Sequence, residues 1–226
     1  MNRSILAIAG FCVVMAAAGT FVALHIPTSQ PPSGSRLEPL AKAYTDRTNK
    51  GYWTLGSTRP TVIVTEYADY QCPYCQTLSV PLEQAVNQTS GVQLQFRPYP
   101  LTQLHNKALQ AAEAAEAAGR QGKFWQMHDK LFATQSTWED DIPSSFQSQL
   151  DSDATNLGLD VTQFDRDMAD TSLQTPITND IASGDKIPVE GTPTLIVNGS
   201  VIADYPTTVS GLENLFKTVS NAQSLQ

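Results

Sequence analysis

The stretch Thr61-Val62-Ile63-Val64-Thr65-Glu66-Tyr67-Ala68-Asp69-Tyr70-Gln71-Cys72-Pro73-Tyr74-Cys75 carries the reading of the whole chain. Its first half is β-branched and apolar, so Val62 to Tyr67 is expected to form a buried strand. The residues that follow, Cys75-Gln76-Thr77-Leu78-Ser79-Val80, hold no turn signal and suit a helix. Cys72 therefore falls where the strand hands over to the helix. Pro73 fits the first helical turn, since its missing N–H has no intrahelical partner there.

That position has a chemical consequence. A helix N-terminus carries unpaired N–H groups and the positive end of the dipole. A thiolate at Cys72 is stabilised, and its pKa is expected to fall below the free value of about 8.5. Cys75, one turn further in and less exposed, is placed to attack a mixed disulfide at Cys72 and release the product. Cysteines three positions apart on one turn close a Cys72–Cys75 disulfide with little rearrangement. The competing reading of Cys-x-x-Cys is half a zinc site, which needs a second pair of ligands at matching spacing. The remaining cysteine, Cys12, lies in an apolar N-terminal run, and His25, His105 and His128 form no H-x-x-x-H pair. No metal is expected at the pair. A Cys-x-x-Cys beside a strand–helix pattern is the thioredoxin-type redox signal.

Composition narrows the function classes. A chain of 226 residues with 41% hydrophobic residues is long enough for one domain with a sizeable core plus a tail. A formal net charge of -8 excludes a basic nucleic-acid footprint and a polybasic membrane patch. With Cys12 set aside, two cysteines cannot build a structural disulfide framework, so the single expected disulfide is the working one.

Residues 1–26 read as a targeting segment, with Arg3 as a short positive region and no charge from Ile5 to Leu24. Two readings stand: a secretory signal cleaved near Ala16-Ala17-Ala18, or an uncleaved anchor. Both place the rest of the chain outside the cytoplasm, because Arg3 favours an N-inside orientation. Residues 27–50 have linker composition, and the folded domain is expected over 51–226. Tyr52 to Leu55 is expected as an edge strand. The helix beginning near Cys72 is expected to kink at Pro81 and run to about Asn87. Val92 to Arg97 forms the next strand, parallel to the first across a βαβ unit.

From residue 104 to about 184 the pattern turns helical. Segments are expected over Lys107 to Ala118 (with Gly119 as the stop), Phe124 to Phe132, Ser144 to Leu157, from Asp160 towards Asp170, and Leu173 to Ser183. The strand Thr194 to Val197 follows, then an Asn198-Gly199 hairpin, the returning strand Val201 to Ala203, and a closing helix over Leu212 to Val219. The fold class is α/β with an inserted all-helical block.

Taken together, several segments resemble the DsbA-type extracytoplasmic thiol-disulfide oxidoreductases. They are Glu66 to Cys75, Phe96-Arg97-Pro98-Tyr99-Pro100-Leu101, Gly122-Lys123-Phe124-Trp125 with His128, and Gly191-Thr192-Pro193-Thr194 with Val197-Asn198-Gly199. The similarity runs from about Trp53 to the C-terminus and implies a thioredoxin fold with an inserted helical subdomain. It implies roles by position: Cys72 as surface nucleophile, Cys75 as resolving cysteine, and Pro73-Tyr74 as the dipeptide that tunes the potential. Pro193 is implied as a cis-proline facing the disulfide, with Thr192 offering its backbone to an extended substrate. Glu66 is implied as the acid beneath the disulfide that moves the proton of Cys75. A charge in an otherwise apolar strand is costly to bury, and desolvation would raise its pKa into an acid/base range.

The resemblance further implies a dithiol oxidase that introduces disulfides into reduced secreted proteins and is reset by a membrane or soluble redox partner. No cofactor and no nucleic acid are expected, and the chain is expected to be a monomer. A reductase or isomerase of the same fold is the alternative. The roughly 25 residues between the apolar segment and Trp53 are too few for an isomerase's dimerisation domain. A peptide binder without catalysis, or a metal carrier, is the third reading. His105 and His128 are expected at surface or core-edge helix positions, Phe124, Trp125 and Phe132 in the subdomain core, and Tyr70 and Tyr74 on an apolar rim.

Overall fold

The computed structural model describes residues 53–223 except Pro188, and of Pro143 the backbone alone. The expected targeting segment, the linker, Cys12 and His25 lie outside the described residues. Among the described residues, no helix is long and apolar enough to cross a membrane.

The α/β part begins with β1 (Trp53–Gly56), β2 (Val62–Ala68), α1 (Pro73–Gln88) and β3 (Val92–Pro98), and ends with β4 (Thr194–Val197), β5 (Ser200–Ile202) and α8 (Val209–Gln223). One sheet holds the strands in the order β1-β3-β2-β4-β5. β2 and β3 run parallel, as a strand–helix–strand crossover requires, and every other pair is antiparallel. The strand carrying the redox motif is thus central, with Glu66 opposite Phe96 on one side and Leu195 on the other. Hairpin geometry closes the β4–β5 end: Asn198 and Gly199 both take positive φ, 47° and 83°, as a two-residue turn between twisted strands demands.

α1 buries Cys75, Leu78, Leu82, Ala85 and Val86, a stripe at helical spacing. Pro81 lies inside α1 without ending it, and the helix continues to Gln88.

Six helices occupy the interval between β3 and β4: α2 (Ala108–Arg120), α3 (Phe124–Ala133), α4 (Gln135–Trp138), α5 (Pro143–Asn156), α6 (Val161–Met168) and α7 (Gln174–Gly184), with a 3₁₀ turn at Thr171–Leu173. The short α4 has no counterpart in the periodicity. Asp160 caps α6 as expected, its carboxylate accepting the Gln163 N–H at 2.9 Å. Phe124 and Trp125 do more than fill the helical block. Phe124 stacks on Trp53 of β1 at 4.3 Å, and the Trp125 indole donates to the Thr54 carbonyl at 3.1 Å. The core therefore runs unbroken from sheet to insertion.

Gly119 departs from the sequence expectation. The helix passes through it to Arg120, and the positive φ that marks the end belongs to Gly122, 71°. Gly119 is instead a point of close approach: a Cβ there would stand 2.4 Å from Trp53 Cζ2. The Trp53 ring is held by its stacking on Phe124 and by an indole bond to Glu116, 3.0 Å. Gly119→Ala is therefore expected to cost about 1–3 kcal/mol through overpacking, despite alanine's better helix propensity. Urea denaturation checks it; an unchanged or raised midpoint would show that the ring yields freely.

Candidate active site

At the end of β2 the chain leaves the sheet through Asp69, Tyr70 and Gln71 and enters α1 with Cys72 as the capping residue and Pro73 in the first turn. Asp69 fixes this exit. Its buried carboxylate accepts the Gln71 N–H at 2.7 Å, the Leu101 N–H at 2.8 Å and a contact from His105 Nδ1 at 2.8 Å. A carboxylate just past a strand end is a common turn-former, which is the signal that sequence reasoning passed over. From the helical block, the Gln135 amide donates to the Tyr70 carbonyl at 2.8 Å and to the Cys72 carbonyl at 3.0 Å. The turn is thus pinned from both sides.

Both cysteines are free thiols. The surface placement expected for Cys72 is corrected: the residue is only 4% exposed. The loop before β4 covers it, with the Cys72 thiol donating to the Thr192 carbonyl at 3.2 Å. The exposed members of the motif are Pro73 and Tyr74, the latter 74% accessible, whereas Tyr70 is buried and forms no rim. The Thr192–Pro193 peptide is cis.

The electrostatics separate the two thiols. Cys72 is pulled down from 9.0 to about 5, first by a hydrogen bond from the Cys75 thiol, against the cost of burial, and further by the backbone N–H groups of Cys75 and Tyr74 at the head of α1. The Thr192 hydroxyl also lowers it. That hydroxyl is buried and without a partner while Cys72 is a thiol, so ionisation supplies the acceptor it lacks. Cys75 moves the opposite way, pushed up by burial and by the neighbouring sulfur. Its sulfur accepts the Asp69 N–H at 3.5 Å. One sulfur is a thiolate at neutral pH, and the other holds its proton.

Glu66 lies on the buried side of β2, 2% exposed. The acid therefore faces the core and not solvent. Tyr67 is buried on the opposite face, under α7 and against Ser183, 2.7 Å away. Desolvation, then the charge of Glu83, raises the Glu66 carboxyl from 4.5 to about 8. Its Oε1 has no hydrogen-bond partner. The charge of Glu66 is among the influences that hold the Cys75 thiol up.

His105 keeps the core-edge burial expected of it, whereas His128 departs from the expectation. His105 is half-buried on Asp69, and His128 is fully buried, not at a core edge. His128 touches Tyr70 through Nδ1 and Glu83 through Nε2, both at 3.0 Å.

A family model described as Thioredoxin matches residues 48–217. The Na(+)/H(+) antiporter NhaA 1 of Salinispora arenicola (strain CNS-205) is 38% identical over 144 residues, 64% of this chain. The chain spans about a fifth of the length of such relatives, 21% in this case. The "Probable disulfide bond formation protein D" of Bacillus cereus is 28% identical over 160 residues, 66% of this chain and 70% of that protein. Among solved structures, a thioredoxin-like oxidoreductase from Silicibacter pomeroyi DSS-3 superposes with a TM-score of 0.62 at 28% identity, covering 77% of this chain and 93% of that one.

Proposed function

The chain belongs to the thioredoxin family, and from that premise we propose that it is a DsbA-type thiol-disulfide oxidoreductase acting as a dithiol oxidase on reduced secreted proteins. The observation that carries this reading is the unequal pair of thiols, with Cys72 lowered to about 5 and Cys75 raised. In the oxidised form the Cys72–Cys75 bond is attacked at Cys72 by a substrate thiolate. The bond between the two enzyme sulfurs breaks, a mixed disulfide forms at Cys72, and Cys75 leaves as a thiolate that takes up a proton. A second substrate thiolate then attacks the mixed disulfide on the substrate's sulfur. The substrate keeps the new disulfide, and Cys72 leaves as a stabilised thiolate.

The direction follows from which redox form the protein stabilises. A thiolate exists only in the reduced enzyme, so lowering its pKa stabilises the reduced form and makes the disulfide more oxidising. The sign is that of a depressed acid. The stabilisation is fully present above pH 9.0, the ordinary thiol value, and shrinks as pH falls towards about 5. At pH 7, midway between the two values, about half of it is in force.

Glu66 serves as the proton donor and acceptor for Cys75, and Pro193 with the Thr192 backbone forms the platform for an extended substrate segment. Reoxidation falls to a membrane or soluble redox partner, and the site faces an extracytoplasmic compartment. The equilibrium potential of the pair in a glutathione buffer tests the direction. A value between roughly -120 and -180 mV is expected for the oxidase, whereas one near about -270 mV would make the chain a reductase.

A further inference from the structure

Between α1 and α3 lies a second group of ionisable side chains that the thiol chemistry does not use. Glu83 comes from α1, His128 and Asp129 from α3, and one donor atom of each lies within 4.8 Å of the others. His128 Nε2 stands 3.0 Å from Glu83 Oε1. That oxygen nevertheless makes no hydrogen bond of sound geometry, although Glu83 is only 7% exposed. The ring is held rather than free: Phe96, Phe124, Trp125 and Phe132 surround it, the nearest ring centroid 4.5 Å away. Its far nitrogen, Nδ1, meets the Tyr70 hydroxyl at 3.0 Å.

Two carboxyls and an imidazole converging out of water present a charge problem. Ionised side by side, the carboxylates repel in a low-dielectric site. Burial pushes Glu83 and Asp129 up to about 7 each and His128 down to about 4. A divalent cation resolves the repulsion as a proton does, and adds bonds. Three protein ligands of nitrogen and carboxylate type with one position left for water is a common zinc arrangement. With bonds of about 2.0–2.1 Å, tetrahedral donors stand roughly 3.3 Å apart, close to the observed 3.0 Å. The Tyr70 hydroxyl accepting the Nδ1 proton would be the outer partner that orients a metal-bound histidine. Asp129, half-buried, gives the ion its way in.

We propose that Glu83, His128 and Asp129 form a three-ligand site for a divalent cation of the zinc class, joining the redox helix α1 to the inserted helical block through α3. The site is separate from Cys72 and Cys75, so it stands or falls independently of the oxidase reading.

The experiment uses the full chain carrying Cys72→Ser and Cys75→Ser, stripped with chelator and titrated with zinc chloride by calorimetry and thermal melting. Saturable uptake of one zinc per chain is expected, with a melting temperature that rises with zinc concentration. Asp129→Asn or Glu83→Gln weakens uptake at least about tenfold, and Tyr70→Phe by about 10- to 100-fold. Asp129→Asn keeps the shape of a half-buried side chain, and circular dichroism checks its folding. Absence of saturable uptake by the parent overturns the proposal. Equal affinity in the parent and both carboxamide variants does so too, since the zinc then sits elsewhere.

Discussion

Cys72→Ser reduces thiol–disulfide exchange to the uncatalysed background, while Cys75→Ala leaves a first step that cannot be completed. These opposite failures follow from the unequal sulfurs. Serine at 72 has no sulfur to accept the mixed disulfide and no thiolate to leave. Alanine at 75 leaves the Cys72 thiolate able to attack a disulfide already present in a substrate, expelling one substrate thiolate and forming a mixed disulfide. It removes the sulfur that would resolve that bond, so the enzyme accumulates in the mixed disulfide. The same change removes the largest influence lowering Cys72, the hydrogen bond from the Cys75 thiol. The pH midpoint for alkylation of Cys72 is then expected to move upward from about 5. Acid-quenched exchange with an unfolded substrate that carries a disulfide, read by mass spectrometry, separates the cases. Parent-like turnover in Cys72→Ser would place the nucleophile elsewhere and end the oxidase reading.

Glu66→Gln is the second large effect, and its sign depends on pH. The Glu66 carboxyl is raised from 4.5 to about 8 in the folded chain. Between those values the folded state binds the proton and the unfolded state has lost it, so stability falls as pH rises from 4.5 towards 8. The full penalty, on the order of 5 kcal/mol at about 1.4 kcal/mol per unit, is present above pH 8. Glutamine mimics the protonated acid at all pH values. The variant is therefore expected to match the parent near pH 5 and to exceed its stability by several kcal/mol at pH 9, measured by guanidinium denaturation. Its cost is kinetic: without a titrating group beneath Cys75, resolution of the mixed disulfide slows at neutral pH. Parallel stability–pH profiles for the two proteins would mean that Glu66 is not held in its protonated form.

The sheet and the redox motif were legible because their signals are local. The β-branched run before Cys72, the Asn198-Gly199 turn and the alternation of helix and strand each need only neighbouring residues. Thr192 and Pro193 were placed by resemblance, and the thiol of Cys72 does reach the Thr192 carbonyl. What escaped notice depends on partners far apart in the chain. Cys72 is covered by a loop 120 positions away, so its burial has no local mark. Gly119 looks like a helix stop, and only the approach of Trp53, from another layer, shows why a side chain is excluded. His128 stands in no ligand-like spacing, because Glu83 arrives from a different helix. Tyr70 looks like a rim residue beside the cysteines, yet the packing of Phe96 and Phe132 against it turns it inward.

The strand order also sets a timetable. β2 lies between β3, which follows it almost at once, and β4, which comes after the whole helical insertion. Ile63 and Asn198, joined across that gap by a 2.7 Å hydrogen bond, are 135 positions apart. At synthesis rates of about 5–20 residues per second, roughly 7 to 27 s pass between the two. Until residue 192 is made, β2 has β3 available as a partner but not β4, and Cys72 lacks the loop that later covers it. A newborn chain is therefore most vulnerable to wrong disulfides and strand-edge pairing before residue 192 is made. A reductant present in those seconds would keep Cys72 from such premature bonds.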